Sequence, residues 1–354
     1  MNLNLFAPAF TVIPWPRGRN GAQVMLRRFI ATARQQGYRV WPSLLTAESR
    51  PCLFIGHRRQ EKFLRSPRRL VYRIAGMYIE EHFRRFGEAF GDRAFRPEYA
   101  VANQIIREAL IHSDFVIYQS TWSKQILDSQ LHQRPQGSWA IIPNAVPLHH
   151  FRPALDWPHR DRQPVVLGTA GFLRSRPRLE VFFDVVRRLK ERPQLLLIGQ
   201  MDHFCQQTLD KALADPYWRG AIRAIPSVAP EQLPGYYQQM DCLLHPVIGD
   251  ACPNVVVEAL ACGVPVVCPE EGGTAELVGP AGVAVADPES LYSETLRAGM
   301  ADAVQHVLDH LADYKQLARA QAEKQNDIKQ LTHHYLQALG FAPGVDHPEK
   351  HHVV

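Results

Sequence analysis

Two carboxylates, Asp250 and Glu258, stand eight positions apart, with the run ACPNVVV between them and the run ALACGVPVVC after them. Proline is favoured in the first turn of a helix, and glycine just beyond the last turn. Pro253 and Gly263 therefore predict a helix over 253–262 in spite of its three valines, followed by a strand. Glu258 is the only charged side chain within that predicted helix.

The start of this predicted helix is suited to binding an anion. First-turn backbone N–H groups have no intrahelical acceptor, and the helix dipole adds about half a positive charge there. The N–H groups of Asn254 and Val255 would therefore hold a phosphate. Glu258 lies one turn further along, near the face of Asn254, where it can accept hydrogen bonds from ribose hydroxyls. The alternative is a solvated glutamate on a surface helix.

Predicted strands and helices alternate along most of the chain. The predicted strands are 3–8, 38–45, 51–56, 69–74, 114–119, 138–143, 164–171, 194–199, 221–226, 241–246, 263–268 and 282–286. The predicted helices are 21–36, 98–112, 121–132, 178–191, 230–239 and 253–262. Such alternation predicts an α/β protein with parallel sheets that helices cover on both faces.

A proline-rich stretch, 153–164, interrupts this alternation and indicates two doubly wound, Rossmann-like domains. We expect an N-terminal domain of residues 1–152 and a C-terminal domain of residues 153–320. Ligands of such sheets bind at the carboxyl ends of the strands, so the site is expected in the cleft between the domains. A long polar helical stretch from about 289 to 338 should close the second domain and pack back across the hinge, with 321–340 as a helix that returns to the N-terminal domain. Residues 341–354 should form a mobile tail.

The composition is typical of a soluble protein. The chain has 354 residues and a hydrophobic share of 46%, and it begins without the basic segment of a signal peptide. Its six cysteines form no C-x-x-C pair, which predicts reduced thiols, a cytoplasmic location and no zinc site. A G-x-G-x-x-G motif after a predicted strand is absent, which disfavours a nicotinamide oxidoreductase.

Basic residues are concentrated in the first half of the chain. Residues 1–150 hold 21 Lys/Arg against 10 Asp/Glu, a net +11, while the remainder holds 19 against 25, a net −6, for a total of +5. The stretch 57–73 alone has seven Lys/Arg and one acid. It predicts an anionic ligand or an anionic membrane surface on this side, with a solvated loop as the alternative. Nucleic-acid binding is disfavoured because no recognisable aromatic module accompanies the charge.

The segment 225–279 resembles the nucleotide-sugar site of retaining glycosyltransferases of the GT-B fold, family 4. Their Glu-x7-Glu motif is present with aspartate first, as Asp250-x7-Glu258. The segment 21–40 resembles their first glycine loop and helix, and 113–127 with 141–153 resembles the end of their first domain. The resemblance covers about residues 1–320 and implies two domains that face each other across a cleft.

This resemblance implies donor-binding roles for particular residues. Glu258 would bind the ribose, and the backbone at Pro253, Asn254 and Val255 would hold the phosphates. Gly21 would let the first-domain loop approach those phosphates closely. Neither a metal ion nor another cofactor is expected, because cationic side chains neutralise the leaving diphosphate in such enzymes. Glu258 itself is expected to have little structural role.

The resemblance also implies catalytic roles. Asp250 would lie near the transferred sugar and contact its hydroxyls. Family members often carry a histidine or aspartate near the acceptor, after the fourth strand of the first domain. Here that place offers Arg73 and His82, and the sequence does not choose between them; the alternative for each is a surface or interdomain contact.

The chain departs from the family in the loop GFLRSRPRLE (171–180). Phe172 stands where an arginine is expected, and Arg178 stands about where a lysine is expected. Arg174 or Arg176 could replace the missing charge, because the segment is basic enough to bind a diphosphate.

The predicted function is a retaining, metal-independent glycosyltransferase. It would move a sugar, of hexosyl type, from a nucleotide-sugar donor to a glycan or lipid-linked acceptor, in the cytoplasm or peripherally at the inner face of the membrane. One alternative is a sugar phosphorylase or a sugar-nucleotide epimerase of the same fold. Another is a glycosyltransferase-like protein that binds a nucleotide sugar without turnover.

Overall fold

Two parallel six-stranded sheets form the framework of the protein. The computed structural model describes residues 8–13, 21–41, 50–56, 69–76, 78–81, 83–84, 95–155, 157, 164–171, 173, 176–226, 228–287 and 292–341, without the side chains of 176 and 177. Each sheet is built from one half of the chain, and helices pack against both.

The first sheet has the strand order β2-β1-β3-β4-β5-β6, with every neighbouring pair parallel. Its strands are β1 (Ala9–Ile13), β2 (Arg39–Trp41), β3 (Pro51–Ile55), β4 (Arg69–Arg73), β5 (Phe115–Tyr118) and β6 (Trp139–Ile141). In β1, β3 and β4 every residue after the first is buried, as expected of strands covered on both faces.

The second sheet has the order β12-β11-β10-β7-β8-β9, again parallel throughout. Its strands are β7 (Val166–Ala170), β8 (Gln194–Ile198), β9 (Ile222–Ile225), β10 (Cys242–Leu244), β11 (Val266–Pro269) and β12 (Gly282–Val285). The edge strands β9 and β12 are partly exposed, whereas β10 and β11 in the interior of the sheet are buried at every residue.

The α-helices of the described residues complete the layers. They are α1 (Gly21–Gln35), α2 (Pro97–His112), α3 (Thr121–Gln130), α4 (Arg176–Arg187), α5 (His203–Ala214), α6 (Leu233–Tyr237), α7 (Asn254–Ala261), α8 (Thr274–Val278), α9 (Glu294–Asp309), α10 (Leu311–Gln325) and α11 (Ile328–Ala338). Helix α1 buries Met25, Leu26, Phe29, Ile30 and Ala33, the stripe of an amphipathic helix on a sheet.

The predicted fold class is therefore confirmed, and most predicted strands lie within a few residues of the observed ones. The first strand is an exception. Strand β1 is Ala9–Ile13, whereas the sequence favoured 3–8, most of which lies outside the described residues. The segment AFTVI is itself apolar and β-branched, and Pro8 precedes the strand rather than ending it.

The ambiguous valine run is helical, as predicted. Pro253 is the N-cap of α7, and the backbone N–H groups of Val256 and Val257 donate to its carbonyl at 3.1 and 3.3 Å. Gly263 ends the helix with φ +73°, a conformation that favours glycine. A Cβ at Gly263 would also lie 2.3 Å from the Trp157 indole nitrogen, so both the backbone conformation and the lack of space at this position favour glycine.

The chain passes between the two domains at two connections that bond to each other. The Val146 N–H donates to the Asn326 carbonyl at 2.9 Å, and the Ile328 N–H donates to the Val146 carbonyl at 3.1 Å. The Asn326 side chain donates to the Asn144 carbonyl at 2.8 Å, and both asparagines are buried. The outgoing and returning connections therefore form one ordered hinge.

The last helix belongs to the core of the first domain. Helix α11 follows the hinge and packs on α1, with the Tyr335 and Phe29 ring centroids 5.1 Å apart. Ile328, Leu331 and Leu336 are buried in the same cluster as Phe29 and the strands of the first sheet. Two segments far apart in sequence thus build this core.

Helix α10 stays with the second domain. Lys315 forms a buried ion pair with Asp241 at 3.0 Å, and Asp241 also accepts the Val166 N–H at 3.0 Å. Arg319 donates to the Ala261 carbonyl at 2.7 Å, which satisfies an acceptor at the end of α7.

The cysteines form no disulfide. All six are described, free and buried, and burial raises the pKa of the Cys52 and Cys268 thiols to about 12. Across the described ranges, none of the helices has the length and hydrophobicity that crossing a membrane requires.

Candidate active site

Glu258 lies at the interface between the domains and is almost completely buried, at 4% exposure. Arg28 of α1 donates from Nη2 to its Oε1 at 2.6 Å, and the Tyr237 hydroxyl of α6 donates to its Oε2 at 3.0 Å. The expectation that Glu258 has little structural role is therefore wrong, because its carboxylate ties α1 of the first domain to α6 and α7 of the second.

The N-terminus of α7 faces the N-terminus of α1. The Asn254 side-chain amide donates to the Gly21 carbonyl at 2.9 Å, and a Cβ at Gly21 would lie 3.2 Å from the Asn254 Nδ2 atom. Intrahelical bonding in α7 begins at Val256, so the N–H groups of Asn254 and Val255 precede it. Gly21 thus lies close to the N–H groups of Asn254 and Val255, which form the predicted phosphate site.

Asp250 is held in the loop between β10 and α7. Its Oδ1 accepts the Cys252 N–H at 3.0 Å, and its carbonyl accepts the Gly273 N–H at 2.8 Å. Burial raises the pKa of the Asp250 carboxyl, and the Cys252 N–H and the Arg178 charge oppose that rise. The carboxylate is thus fixed in position at the carboxyl end of β10, although its charged form is disfavoured by its surroundings.

Arg178, near the start of α4, faces the same loop from the end of β7. Its charge acts on Asp250, and it hydrogen-bonds to Tyr292. His245, which follows β10 directly, is 4% exposed, and its Nε2 has no hydrogen-bond partner among the described residues. Burial, followed by the Arg178 charge, lowers the pKa of His245 to about 3, so its imidazole is neutral at physiological pH.

The structure corrects the candidate catalytic role of Arg73. The side chain is fully buried at the end of β4, where it donates to the Tyr335 hydroxyl at 3.1 Å and to the Asn144 Oδ1 at 2.5 Å. Asn144 in turn donates to the Cys252 carbonyl at 2.8 Å. Arg73 therefore connects α11 to the loop that carries Asp250, and it positions that loop from inside the protein.

A second carboxylate crosses the interface at α8. Both oxygens of Glu276 accept N–H groups at the start of α3, from Thr121 at 2.7 Å and from Trp122 at 2.6 Å. The start of α3 also has its own capping box between Ser120 and Ser123. Glu276 thus adds an inter-domain cap to a helix that its own domain already caps.

Three predicted positions lie outside the described residues, namely His82, Phe172 and Arg174. The basic stretch 57–73 is described only from Arg69 onwards. Arg69 donates to the Ala338 carbonyl at 2.7 Å, and Arg73 is buried. Both arginines hold α11, and the buried Arg73 contributes nothing to a surface for anionic ligands, whereas Arg69 stays partly exposed.

The structure brings four predicted features together at the carboxyl ends of the strands of the second sheet, and each has a chemical capacity. Helix α7 offers two backbone donors for an anion, Glu258 offers carboxylate oxygens for hydroxyls, Asp250 offers a second carboxylate, and Arg178 offers a cation. Within the described ranges, no three His, Cys, Asp or Glu side chains gather as a metal site.

Two residues of the site, Arg28 and Tyr237, were not predicted from the sequence. Arg28 lies seven positions after Gly21 on α1, and Glu258 lies four positions after Asn254 on α7. Residues at these spacings share a helix face, so the family resemblance, which places Gly21 near the phosphates held at Asn254, was the signal that α1 would face Glu258. No comparable local pattern identifies Tyr237.

The second half of the chain matches a known family. Residues 164–306 match the family model described as glycosyl transferases group 1. The D-inositol 3-phosphate glycosyltransferase of Pseudarthrobacter chlorophenolicus is 26% identical over 148 residues, which are 39% of this chain and 35% of that protein. The chain spans less than half the length of the curated relatives that it matches.

Solved structures match nearly the whole chain. Sucrose-phosphate synthase from Thermosynechococcus elongatus has a TM-score of 0.73 and 14% identity, over 94% of this chain and 98% of that one. HepE of Anabaena, solved with UDP-glucose, has a TM-score of 0.68 and 16% identity, over 94% and 99%. At these identities the likeness establishes the fold, which is that of GT-B glycosyltransferases.

Proposed function

We propose that this protein is a retaining glycosyltransferase that transfers a hexosyl group from a nucleotide sugar to a glycan or lipid-linked acceptor without a metal ion. The observation that carries the proposal is the start of α7, where unbonded N–H groups and the Glu258 carboxylate lie one helical turn apart against the first domain. This site belongs to the part of the chain that matches the group 1 family model.

In this proposal each part of the donor meets a group of matching chemistry. The N–H groups of Asn254 and Val255 bind the diphosphate, and Glu258 accepts hydrogen bonds from the ribose. Asp250 contacts hydroxyls of the transferred sugar, and Arg178 balances charge on the leaving group. The bond from the anomeric carbon to the phosphate oxygen breaks, and the acceptor oxygen bonds to that carbon on the same face while its proton passes to the leaving phosphate.

Donor binding is the first test of this proposal. UDP, GDP and ADP should be screened by thermal shift, each with and without EDTA. A nucleotide at about 100 times its dissociation constant should stabilise the protein by about 2.7 kcal/mol. If no nucleotide raises the melting temperature, the donor site is refuted, and a shift that disappears with EDTA would refute metal independence alone.

Turnover separates the proposed enzyme from its alternatives. A transferase should release nucleoside diphosphate from the sugar nucleotide that binds, at a rate that depends on an added acceptor. A phosphorylase would require inorganic phosphate, and an epimerase would convert the sugar nucleotide without releasing diphosphate. A protein that binds without turnover would be stabilised by the donor and release nothing. Aspartate at position 250 and Phe172 at the position of the family's arginine are the features that favour this last alternative.

We further propose that the protein is cytoplasmic and works peripherally at the inner face of the membrane. The support is the net charge of +11 in residues 1–150, where GT-B enzymes bind the acceptor. Sedimentation with anionic liposomes should be strong at low salt and weak at high salt, because salt screens charges beyond about 8 Å at physiological strength. Equal sedimentation with neutral and anionic vesicles would refute membrane attraction by charge.

A further inference from the structure

Two of the polar contacts across the domain interface join helices α1 and α7. At their N-termini the Asn254 amide donates to the Gly21 carbonyl at 2.9 Å. Further along, the Arg28 Nη2 atom donates to the Glu258 Oε1 atom at 2.6 Å. These contacts place a first-domain cation against the same carboxylate that, in the proposed function, binds the ribose of the donor.

The two partners of Glu258 approach it from different sides. Tyr237 is fully buried within the second domain, and its hydroxyl donates to the Glu258 Oε2 atom from inside that domain. Arg28 donates to Oε1 from the first domain, across the domain interface at which the proposed donor would bind. Because Glu258 is only 4% exposed, a ribose can reach Oε1 only if Arg28 moves away, whereas Tyr237 can stay in place.

The Arg28 guanidinium has unused hydrogen-bonding capacity at this position. Its Nη1 atom is buried and has no hydrogen-bond partner among the described residues. Its carbon lies 5.1 Å from the centroid of the Phe151 ring, so the planar group is held between the ring and the carboxylate. A planar guanidinium in this state is suited to binding a second anion through two N–H groups.

Once the ribose occupies Glu258, that second anion is close by. The diphosphate of the donor would lie at the N–H groups of Asn254 and Val255, one turn of α7 from Glu258, which is about 5–6 Å. The second domain has Phe172 where the family has a diphosphate-binding arginine. A cation from the first domain can supply that missing charge.

We propose that Arg28 exchanges partners when the donor binds, from the Glu258 carboxylate to the diphosphate. This inference rests on the proposed function and specifies how that site selects its ligand. A nucleoside must displace Arg28 from Glu258 and offers it no anion in exchange. A nucleoside diphosphate also displaces Arg28, but its phosphates give Arg28 a new anionic partner. The ratio between the two affinities is thus set by Arg28.

Isothermal titration of Arg28→Gln measures this ratio. The probes are the nucleoside diphosphate that binds the wild-type protein best, among UDP, GDP and ADP, and its parent nucleoside. We expect the variant to bind the nucleoside several-fold more tightly and the diphosphate about tenfold more weakly, which is the loss of one charge-assisted hydrogen-bonded contact. A purely structural role would weaken both ligands together.

Arg27→Gln is the matched control, because Arg27 is the exposed neighbour of Arg28 on α1 and its loss removes the same charge. It should leave the affinity ratio unchanged. Should Arg28→Gln fail to fold, Arg28→Lys keeps the charge but lacks the planar fork, and it should lower the ratio by a smaller factor.

The outcomes separate this inference from the proposed function. If the wild-type protein binds no nucleoside diphosphate, the proposed function falls and the inference falls with it. If the wild type binds the diphosphate and the ratio is the same in Arg28→Gln, only the partner exchange is overturned.

Discussion

Glu258 has two roles: it is the proposed hydrogen-bond acceptor for the ribose of the donor, and it connects the two domains through Arg28. We expect Glu258→Ala to reduce stability as well as donor affinity. Its loss leaves the Arg28 guanidinium, 12% exposed, without its carboxylate, and breaking a buried ion pair costs on the order of 3 kcal/mol. Urea denaturation should show this loss, and Glu231→Ala, at an exposed position, should show almost none.

The double variant with Arg28→Met decides the origin of that loss. If the unpaired cation is the cause, removing it should restore part of the stability of Glu258→Ala. Additive losses in the double variant would contradict the ion pair as the source and point to packing of the Glu258 side chain.

For Asp250 the pKa determines the direction of a stability change. Burial raises its pKa in the folded protein, so the stability linked to this group is present below the unfolded pKa and is lost as pH rises through the folded pKa. Asp250→Asn avoids that loss because it carries no charge. Its melting temperature should exceed that of the wild type at about pH 7.5 and equal it at about pH 3.

The same variant should lose turnover, since an amide is a weaker acceptor for the sugar hydroxyls. Asp250→Glu should also lower the steady-state rate if the shorter side chain suits this donor. A gain in rate with Asp250→Glu would instead identify the aspartate as the reason for low activity, and an unchanged melting temperature in Asp250→Asn would contradict the raised pKa.

Sequence predicted the residues of α7 but not their neighbours in space. Pro253, Asn254 and Glu258 follow from local spacing, because helix signals act within one turn. Arg28 is 230 positions from Glu258, and no local rule joins two residues so far apart. The burial of Arg73 could not be predicted from the sequence either, because its partner Tyr335 belongs to a helix that returns from the far end of the chain.

At the scale of elements, the end of α7 depends on one glycine. Gly263→Ala should destabilise the protein by about 1–3 kcal/mol, because the residue has φ +73° and its Cβ would press on Trp157. Thermal unfolding measures the loss. Gly235→Ala is the control, since Gly235 lies in helix α6 with no atom within 4 Å of its added Cβ, and it should be neutral or stabilising.

Helix α3 provides a second test at this scale. Glu276→Ala removes the carboxylate that accepts the Thr121 and Trp122 N–H groups, and we expect a loss of about 0.5–2 kcal/mol, as for other helix caps. Glu276→Gln retains an acceptor and should lose less. Chemical denaturation distinguishes the two, and equal stability of both variants and the wild type would show that the internal capping box suffices.

Elements were predictable where their own residues carry the signal. Buried strands such as β8 (QLLLI) are continuous apolar runs, and the sequence places them almost to the residue. Helices α5 and α8 were missed. Helix α5 does carry local signals, because Asp202 caps its N-terminus and the buried residues Cys205, Leu209 and Ala212 follow helical spacing, so it was predictable from its own residues. Helix α8 has only five residues, too few to show a period, so tertiary packing decides it.

The whole molecule depends on α11 for the integrity of its first domain. A chain ending at Gln325 would lose the hinge residue Asn326 and the side chains that cover Phe29 and the first sheet. We expect this truncated protein to be insoluble or to melt without a cooperative first-domain transition. Calorimetry measures this, and a chain lacking only 342–354 should melt as the full chain does.

A truncated chain that melted cooperatively at the wild-type temperature would show that the first domain folds without α11. The wild type, by contrast, should unfold in one transition, because the hinge hydrogen bonds and the Arg28–Glu258 pair couple the domains.

The place of α11 in the first core also sets an order of events during synthesis. Strand β6 ends at Ile141 and α11 begins at Ile328, so about 190 residues separate the two parts of one core. At roughly 5–20 residues per second, the ribosome needs on the order of 10–40 s to make that interval. The face of α1 that Tyr335 later covers stays open to chaperones throughout, so the half of the protein made first is the half that finishes folding last.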